Sequence, residues 1–267
     1  MSARGRGGGK GGAKGGGGRS GSGGGKPVGA SRKLHTRVET ARGRKTSSTR
    51  WLQRQLNDPY VLEARKQGFR SRAAFKLIEL DDRFHILRPG LRVVDLGAAP
   101  GGWTQVAVAR VRAGRPPGDG PGGRGGSGMV VGVDILDWAE VPGAQCLTLD
   151  FMEPDAPEVV HRHCGGPVDV VLSDMAAPTT GHAATDHLRI MGLAEAAWAF
   201  AEETLAPGGA FVCKVFQGGT ENALLRRMKT LCETVKHAKP PASRKDSAEV
   251  YVVAQGFRGR PEPEATD

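Results

Sequence analysis

Acidic residues are almost missing from the first fifty positions of this 267-residue chain, where Glu39 stands alone against thirteen Lys and Arg. The net charge of the whole chain is +10, so this end alone, at +12, more than accounts for it and the remaining 217 residues sum to −2. Apolar runs of about eighteen residues, the length a membrane helix needs, are also lacking. The N-terminus has no apolar segment of the kind a secretory signal carries. Sixteen glycines in the first fifty residues argue against the amphipathic helix of an organellar transit peptide. Cysteine is scarce: Cys146, Cys164, Cys213 and Cys232 are scattered, with no C-x-x-C spacing. That pattern offers neither a disulfide framework nor a zinc site and suits a reducing, cytoplasmic setting. The triplet His161, His163, Cys164 has no partner cluster and reads as an exposed helix end.

Three parts follow from composition. Residues 1–47, rich in Gly, Arg and Lys, bury too little to fold and read as a disordered basic tail. Charge of nearly one sign suits a loose tether for RNA by counterion release. Residues 48–257 have the makings of one α/β domain, and residues 258–267 form a second disordered tail. Within the domain, "AGRPPGDGPGGRGGSG" (113–128) reads as a Gly/Pro-rich surface insert.

Ahead of a helix whose apolar face is Ala74, Phe75, Leu77, Ile78 and Leu80, with Ser71 as its expected N-cap, five basic residues (Arg65, Lys66, Arg70, Arg72, Lys76) surround Tyr60 and Phe69. Basic residues interleaved with aromatics suit an RNA backbone and its bases. From residue 91 strands and helices alternate. Strands are expected over 91–95, 129–134, 146–149, 168–173, 210–215 and 249–254, and helices over 103–112, 156–163, about 185–205 and 221–232. Repeated βα units with valine-rich strands predict a doubly wound, mostly parallel, Rossmann-like sheet.

Four carboxylates fall where such a sheet places its ligands, at or just past strand ends: Asp95, Asp134, Asp150 and Asp174. The first turn, "DLGAAPGGW", is not the G-x-G-x-x-G of dinucleotide enzymes, and Asp95 before its glycines disfavours a pyrophosphate. An acid there suits a cationic ligand bearing an amino acid and a ribose, a description S-adenosylmethionine meets. Asp134 is placed for ribose hydroxyls and Asp150 for an adenine edge. Two lysines occupy apolar surroundings, Lys76 in "RAAFKLIEL" and Lys214 in "FVCKVF", where an ammonium is costly unless paired. Glu249 opens the last strand.

In "GFRSRAAFKL", "VVDLGAAPGGW", "LSDMAAP", "FVCKVF" and "SAEVYVVAQGF" the sequence resembles the FtsJ-type (RlmE) ribosomal RNA 2′-O-methyltransferases, over about residues 48–257. The resemblance implies a seven-stranded methyltransferase sheet. It also implies a catalytic set of Lys76, Asp174, Lys214 and Glu249, with Lys214 as the main hydroxyl-activating group. S-adenosyl-L-methionine would lie against Gly101, Trp103, Asp134, Asp150 and Asp174, with Trp103 lining the pocket and no metal required. The implied substrate is a uridine of 23S ribosomal RNA in the large subunit, modified late in assembly by a cytoplasmic monomer that needs no membrane or obligate protein partner. Two alternatives stay open: a transfer RNA methyltransferase of the same family, and a non-catalytic RNA-binding assembly factor. The loop "KPPASRKDSAE" (239–249) is a further candidate for phosphate contact.

Overall fold

The computed structural model describes residues 46–116, 126–178, 180–217 and 222–260. The basic tail over 1–45, the middle of the insert (117–125) and residues 261–267 lie outside the described residues, and with them the expectations placed there. The chain runs α1 (Thr46–Asn57), α2 (Pro59–Gln67), α3 (Ala74–Phe84), β1 (Arg92–Leu96), α4 (Gly102–Val111), β2 (Met129–Asp134), β3 (Gln145–Thr148), α5 (Ala156–Cys164), β4 (Val168–Ser173), α6 (Ala183–Thr204), β5 (Leu205–Phe216), α7 (Asn222–Leu231), β6 (Cys232–Ala238) and β7 (Glu249–Phe257).

One seven-stranded sheet has the order β3-β2-β1-β4-β5-β7-β6. The first five are parallel, and β7 enters between β5 and β6 antiparallel to both. The valine-rich strands are buried on both faces because alternate residues point to opposite helical layers. Val94, Leu96, Val131, Val171, Phe211, Cys213 and Val252 pack with α5, α6 and α7. Val93, Val130, Val170, Leu172, Val212, Tyr251 and Val253 pack with α3 and α4. At about 1.5–3 kcal/mol for each fully buried aliphatic or aromatic side chain, this alternation sets the register of every strand.

Two sequence expectations need correction. The seventh strand, β6, was not visible in the apolar pattern: it is an edge strand, "CETVKHA", with mostly exposed or half-exposed residues, so it needs no continuous apolar run. Ser71 does not cap α3. The cap position is Ala73, with helical backbone angles and no side-chain cap. A Cβ at Gly102 would fall 2.3 Å from the Ser71 hydroxyl, so Ser71 packs against the start of α4 and glycine is required opposite it.

Candidate active site

A cavity of about 900 Å³ opens at the carboxyl ends of the parallel strands, a size ordinary for a small-molecule site. Asp134 and Asp150 form part of its wall, with Ile135, Leu136, Phe151 and Met152 as apolar neighbours, and Asp174 lies at its β4 side. Local backbone donors fix both acids. Asp134 accepts from the Ala99 and Leu136 amides, each at 2.9 Å, and Asp150 accepts from the Met152 amide at 3.0 Å. A carboxylate has about four acceptor positions, so both retain capacity for a ligand's hydroxyl or amino group. Gly97 has φ +72°, and a Cβ there would meet Met175 Cγ at 2.3 Å. Glycine thus lets β1 turn back and brings Met175 against the cavity floor.

Asp95 lies at the end of β1 and is only 1% exposed. Thr104 donates its hydroxyl to Asp95 Oδ2 at 2.7 Å. Burial pushes the Asp95 carboxyl up to about 7, aided by the charges of Asp174 and Asp134 and opposed by the Thr104 hydrogen bond.

Beside the cavity, four residues far apart in sequence meet. Lys76 Nζ stands 2.9 Å from Glu249 Oε1 and donates to Oε2 at the same distance. It also lies 3.7 Å from Asp174 Oδ1. Lys214 Nζ is 3.2 Å from that same oxygen and donates to the Asp174 carbonyl at 2.8 Å. Charges therefore alternate Glu249, Lys76, Asp174, Lys214, and each side chain is at least five-sixths buried. Strand pairing explains the meeting. Lys214 is opposite Tyr251 and Phe216 opposite Glu249, so Lys214, Tyr251 and Glu249 share the face on which α3 lies and from which Lys76 reaches in.

Sequence reasoning missed two members of this cluster. Tyr251 is fully buried and donates its hydroxyl to Asp174 Oδ1 at 2.6 Å. Burial, then the charges of Asp174 and Glu249, raise its phenol well above the ordinary value. Its position two residues after Glu249 was the available signal, since period two puts both on one face. Ser243 donates to Glu249 Oε1 at 2.8 Å, and nothing in the local pattern announces it.

Trp103 is set back from the residues that line this cavity. It is 3% exposed, its ring centroid lies 5.7 Å from that of Tyr251, and its indole N–H donates to the Ala73 carbonyl at 2.8 Å. It joins the first turn to the entry of α3. Gly101 is likewise absent from the cavity lining; with φ +105°, its Cβ would stand 2.8 Å from Val141 Cγ2.

The expected basic and aromatic RNA face is also mostly consumed within the fold. Tyr60 and Phe69 both pack on Phe75. Arg72 pairs with Asp58 at 3.0 Å and donates to the Ala242 carbonyl at 2.6 Å, Lys76 is in the buried cluster, and Arg70 binds backbone carbonyls. Arg65 and Lys66 remain exposed. In the 239–249 loop, Lys239 donates inward to the Ser247 carbonyl at 2.6 Å and Arg244 lies 3.6 Å from Asp58; Lys245 stays exposed. The 161–164 triplet is similarly engaged: His161 meets the Thr204 carbonyl, His163 meets Gln145, and Cys164 is buried.

A family model described as FtsJ-like methyltransferase matches residues 69–257. A Rhodospirillum rubrum protein named Ribosomal RNA large subunit methyltransferase E is 70% identical over 236 residues, covering 88% of this chain and 86% of that protein. Its namesake in Paramagnetospirillum magneticum is 64% identical over 236 residues, covering 88% and 93%. Among solved structures, a Plasmodium falciparum protein named as a ribosomal RNA methyltransferase matches with a TM-score of 0.61 and 27% identity, over 72% of this chain and 100% of its own. The family match starts at Phe69, just ahead of α3, and ends at Phe257, the last residue of β7, so it takes in every strand and all four residues of the buried charge cluster: the chain belongs to the FtsJ-like methyltransferase family.

Proposed function

We propose that this chain, acting as a cytoplasmic monomer, moves a methyl group from S-adenosylmethionine to a ribose 2′-hydroxyl of RNA, the target being a uridine of 23S ribosomal RNA late in large-subunit assembly. The observation that carries the reading is the position of Asp174: it lines the cavity and also holds both lysines. The site therefore puts a cofactor-sized space directly beside a buried proton-handling group. The RNA target draws its support from the relatives named Ribosomal RNA large subunit methyltransferase E.

The residues present fit the cofactor. Asp134 and Asp150 have acceptor capacity for ribose hydroxyls and an adenine amino group, and Ile135, Leu136, Phe151 and Met152 supply apolar walls for a base. Asp134 and Asp174, both on the cavity wall, suit its positive charge. When bound, S-adenosylmethionine supplies an electrophilic methyl on a sulfonium. Gly101 and Trp103 serve the seat from beneath, by shaping the first turn.

Lys214 handles the proton of the acceptor hydroxyl as the O–C bond forms and the S–C bond breaks. Two directions of its Nζ are committed to Asp174, which fixes the nitrogen. A remaining tetrahedral position, a lone pair on the amine or an N–H on the ammonium, is left for the 2′-oxygen, where it takes the proton or stabilises the developing alkoxide. Asp174 orients Lys214, and Lys76 with Glu249 holds Asp174 and the acceptor side in place. Beyond the domain, the tail over 1–47 tethers RNA.

The test is labelled S-adenosylmethionine offered with extracted RNA and with intact large subunits in parallel, followed by mapping of the 2′-O-methyl nucleotide. Lys214→Ala is expected to lose turnover while still binding the cofactor by calorimetry, since general acid–base help is worth about 10²–10⁴-fold. Near wild-type methylation by Lys214→Ala overturns the catalytic assignment. Label on transfer RNA alone overturns the ribosomal target, and no label on any RNA points to a binding protein.

A further inference from the structure

Arg70 has the sequence context of an RNA-contacting residue, yet its side chain is directed into the protein's own backbone. Nη1 donates to the Pro100 carbonyl at 3.1 Å and to the Ala139 carbonyl at 2.5 Å, and Nη2 donates to the Glu140 carbonyl. These acceptors belong to two different loops. Pro100 is in the first turn, next to cavity-lining Ala99; Ala139 and Glu140 are in the segment after β2, which begins with cavity-lining Ile135 and Leu136. The backbone of Arg70 is anchored as well. Its amide donates to Gln105 Oε1 at 2.9 Å, and Gln105 Nε2 donates to the Gly68 carbonyl at 3.0 Å, which ties the residue to α4 on both sides.

The surrounding glycines are shaped to this arrangement. A Cβ at Gly101 would lie 3.1 Å from Arg70 Nη1 and 3.2 Å from the Trp138 ring, and a Cβ at Gly132 would lie 2.6 Å from Trp138. Guanidinium, indole and turn thus form a close-packed layer under the two loops that frame the cavity. A guanidinium carries five donors in a fixed planar fork, so one side chain can satisfy three carbonyls from two loops. A lysine ammonium lacks that fork.

We infer that Arg70 is a positioning residue for the S-adenosylmethionine seat, holding the first turn at a fixed distance from the β2–β3 loop, and is not an RNA-phosphate contact. This rests on the cofactor reading given above. Its loss loosens both walls of the cavity together, the Ala99 amide that meets Asp134 included, while leaving the buried lysine–carboxylate cluster in place.

The experiment compares wild type, Arg70→Ala and Arg70→Lys in three measurements: calorimetric affinity for S-adenosylmethionine, steady-state kinetics with each substrate varied, and RNA affinity across a salt series. Thermal melting and near-ultraviolet dichroism establish that each variant is folded. Arg70→Ala is expected to weaken cofactor affinity and raise its KM by about tenfold, the equivalent of one lost charge-assisted hydrogen bond. RNA affinity, its salt slope and kcat at saturating cofactor are expected to stay at wild-type values. Arg70→Lys, which keeps the charge and supplies a folded comparison if the alanine variant melts early, shows the same split to a smaller degree. Unchanged cofactor affinity in both variants overturns the inference. So does an RNA salt slope that falls by about one in Arg70→Ala, the signature of a lost phosphate contact. Failure of the wild-type chain to bind S-adenosylmethionine sinks the proposed function itself and is recognised before any variant is compared.

Discussion

Removing Lys76 by Lys76→Met takes the central cation out of a row of alternating charges and leaves Glu249, whose side chain is 13% exposed, without its ammonium partner. At the observed 2.9 Å, an effective dielectric near 20 gives a gross attraction of about 6 kcal/mol for the pair. Desolvation of both groups offsets much of this, and breaking a buried pair by removing one partner costs about 3–5 kcal/mol because the other charge is stranded. We take the lower end, about 3 kcal/mol, since Ser243 still donates to Glu249 Oε1. Glu249→Gln strands Lys76 less completely, because Asp174 stands 3.7 Å away; its cost is about 2 kcal/mol on the same basis. The double variant Lys76→Met, Glu249→Gln leaves no stranded charge at this pair and is expected to cost about 2–3 kcal/mol less than the two single costs together. Urea unfolding of the four proteins, followed by tryptophan fluorescence at constant pH and salt, measures this coupling. Single costs that add to within about 0.5 kcal/mol refute the claim that the two side chains form one buried electrostatic unit.

Asp95 carries a pH signature. The folded chain keeps this carboxyl protonated up to about pH 7, whereas the unfolded chain releases the proton near pH 4. The native state then binds more protons across that window, so the Asp95 contribution to stability falls as pH rises from about 4 to about 7. Holding a proton about three pH units longer corresponds to roughly 4 kcal/mol; Asp95→Asn is expected to gain stability relative to wild type between pH 5 and pH 8, and a difference independent of pH in urea titrations contradicts the assignment. Ser243→Ala removes the hydroxyl donor to Glu249 Oε1, leaving that oxygen to Lys76 alone, and is expected to lower kcat about tenfold, one hydrogen bond's worth, with cofactor affinity unchanged and activity recovered by Ser243→Thr; an equal loss in the threonine variant argues that the site tolerates no change there for other reasons. Deleting residues 1–45 is expected to weaken RNA affinity most at low salt and to spare turnover at saturating RNA, so a collapse of saturated turnover shows that the tail acts in the site.

The sheet was legible because most of its strands carry short valine-rich apolar runs between turn residues: β2 and β4 fall at the expected residues, and the ends of β1 and β3 move by one. β6 escaped because an edge strand can be polar. The acids at strand ends were legible for the same reason as the strands, since topology places strand ends at ligand sites. Lys214 stood out as a charge in an apolar run. The roles of Arg70, Arg72, Trp103 and Ser243 were not legible, because each depends on which group the folded chain brings to its side chain: the backbone of Pro100 and Ala139 for Arg70, of Ala242 for Arg72 and of Ala73 for Trp103, and the carboxylate of Glu249 for Ser243. A basic residue in a loop looks the same in sequence whether it points at solvent or at a carbonyl seventy residues away.

The place of β7 has a consequence for how the enzyme comes into being. Among the described residues it is the last strand, yet it sits inside the sheet, and there β6 joins the rest of the sheet only through it. The same strand brings Glu249 to Lys76, 173 positions earlier, and Tyr251 to Asp174. During synthesis, where earlier segments fold first, a chain lacking this strand already holds Asp134, Asp150, Asp174 and both lysines but has an unfinished sheet edge and an unbalanced pair of ammonium groups. With β7 in place that edge of β5 is covered, the lysine–carboxylate cluster is balanced and the proposed catalytic centre is complete, so chemical competence waits on this strand.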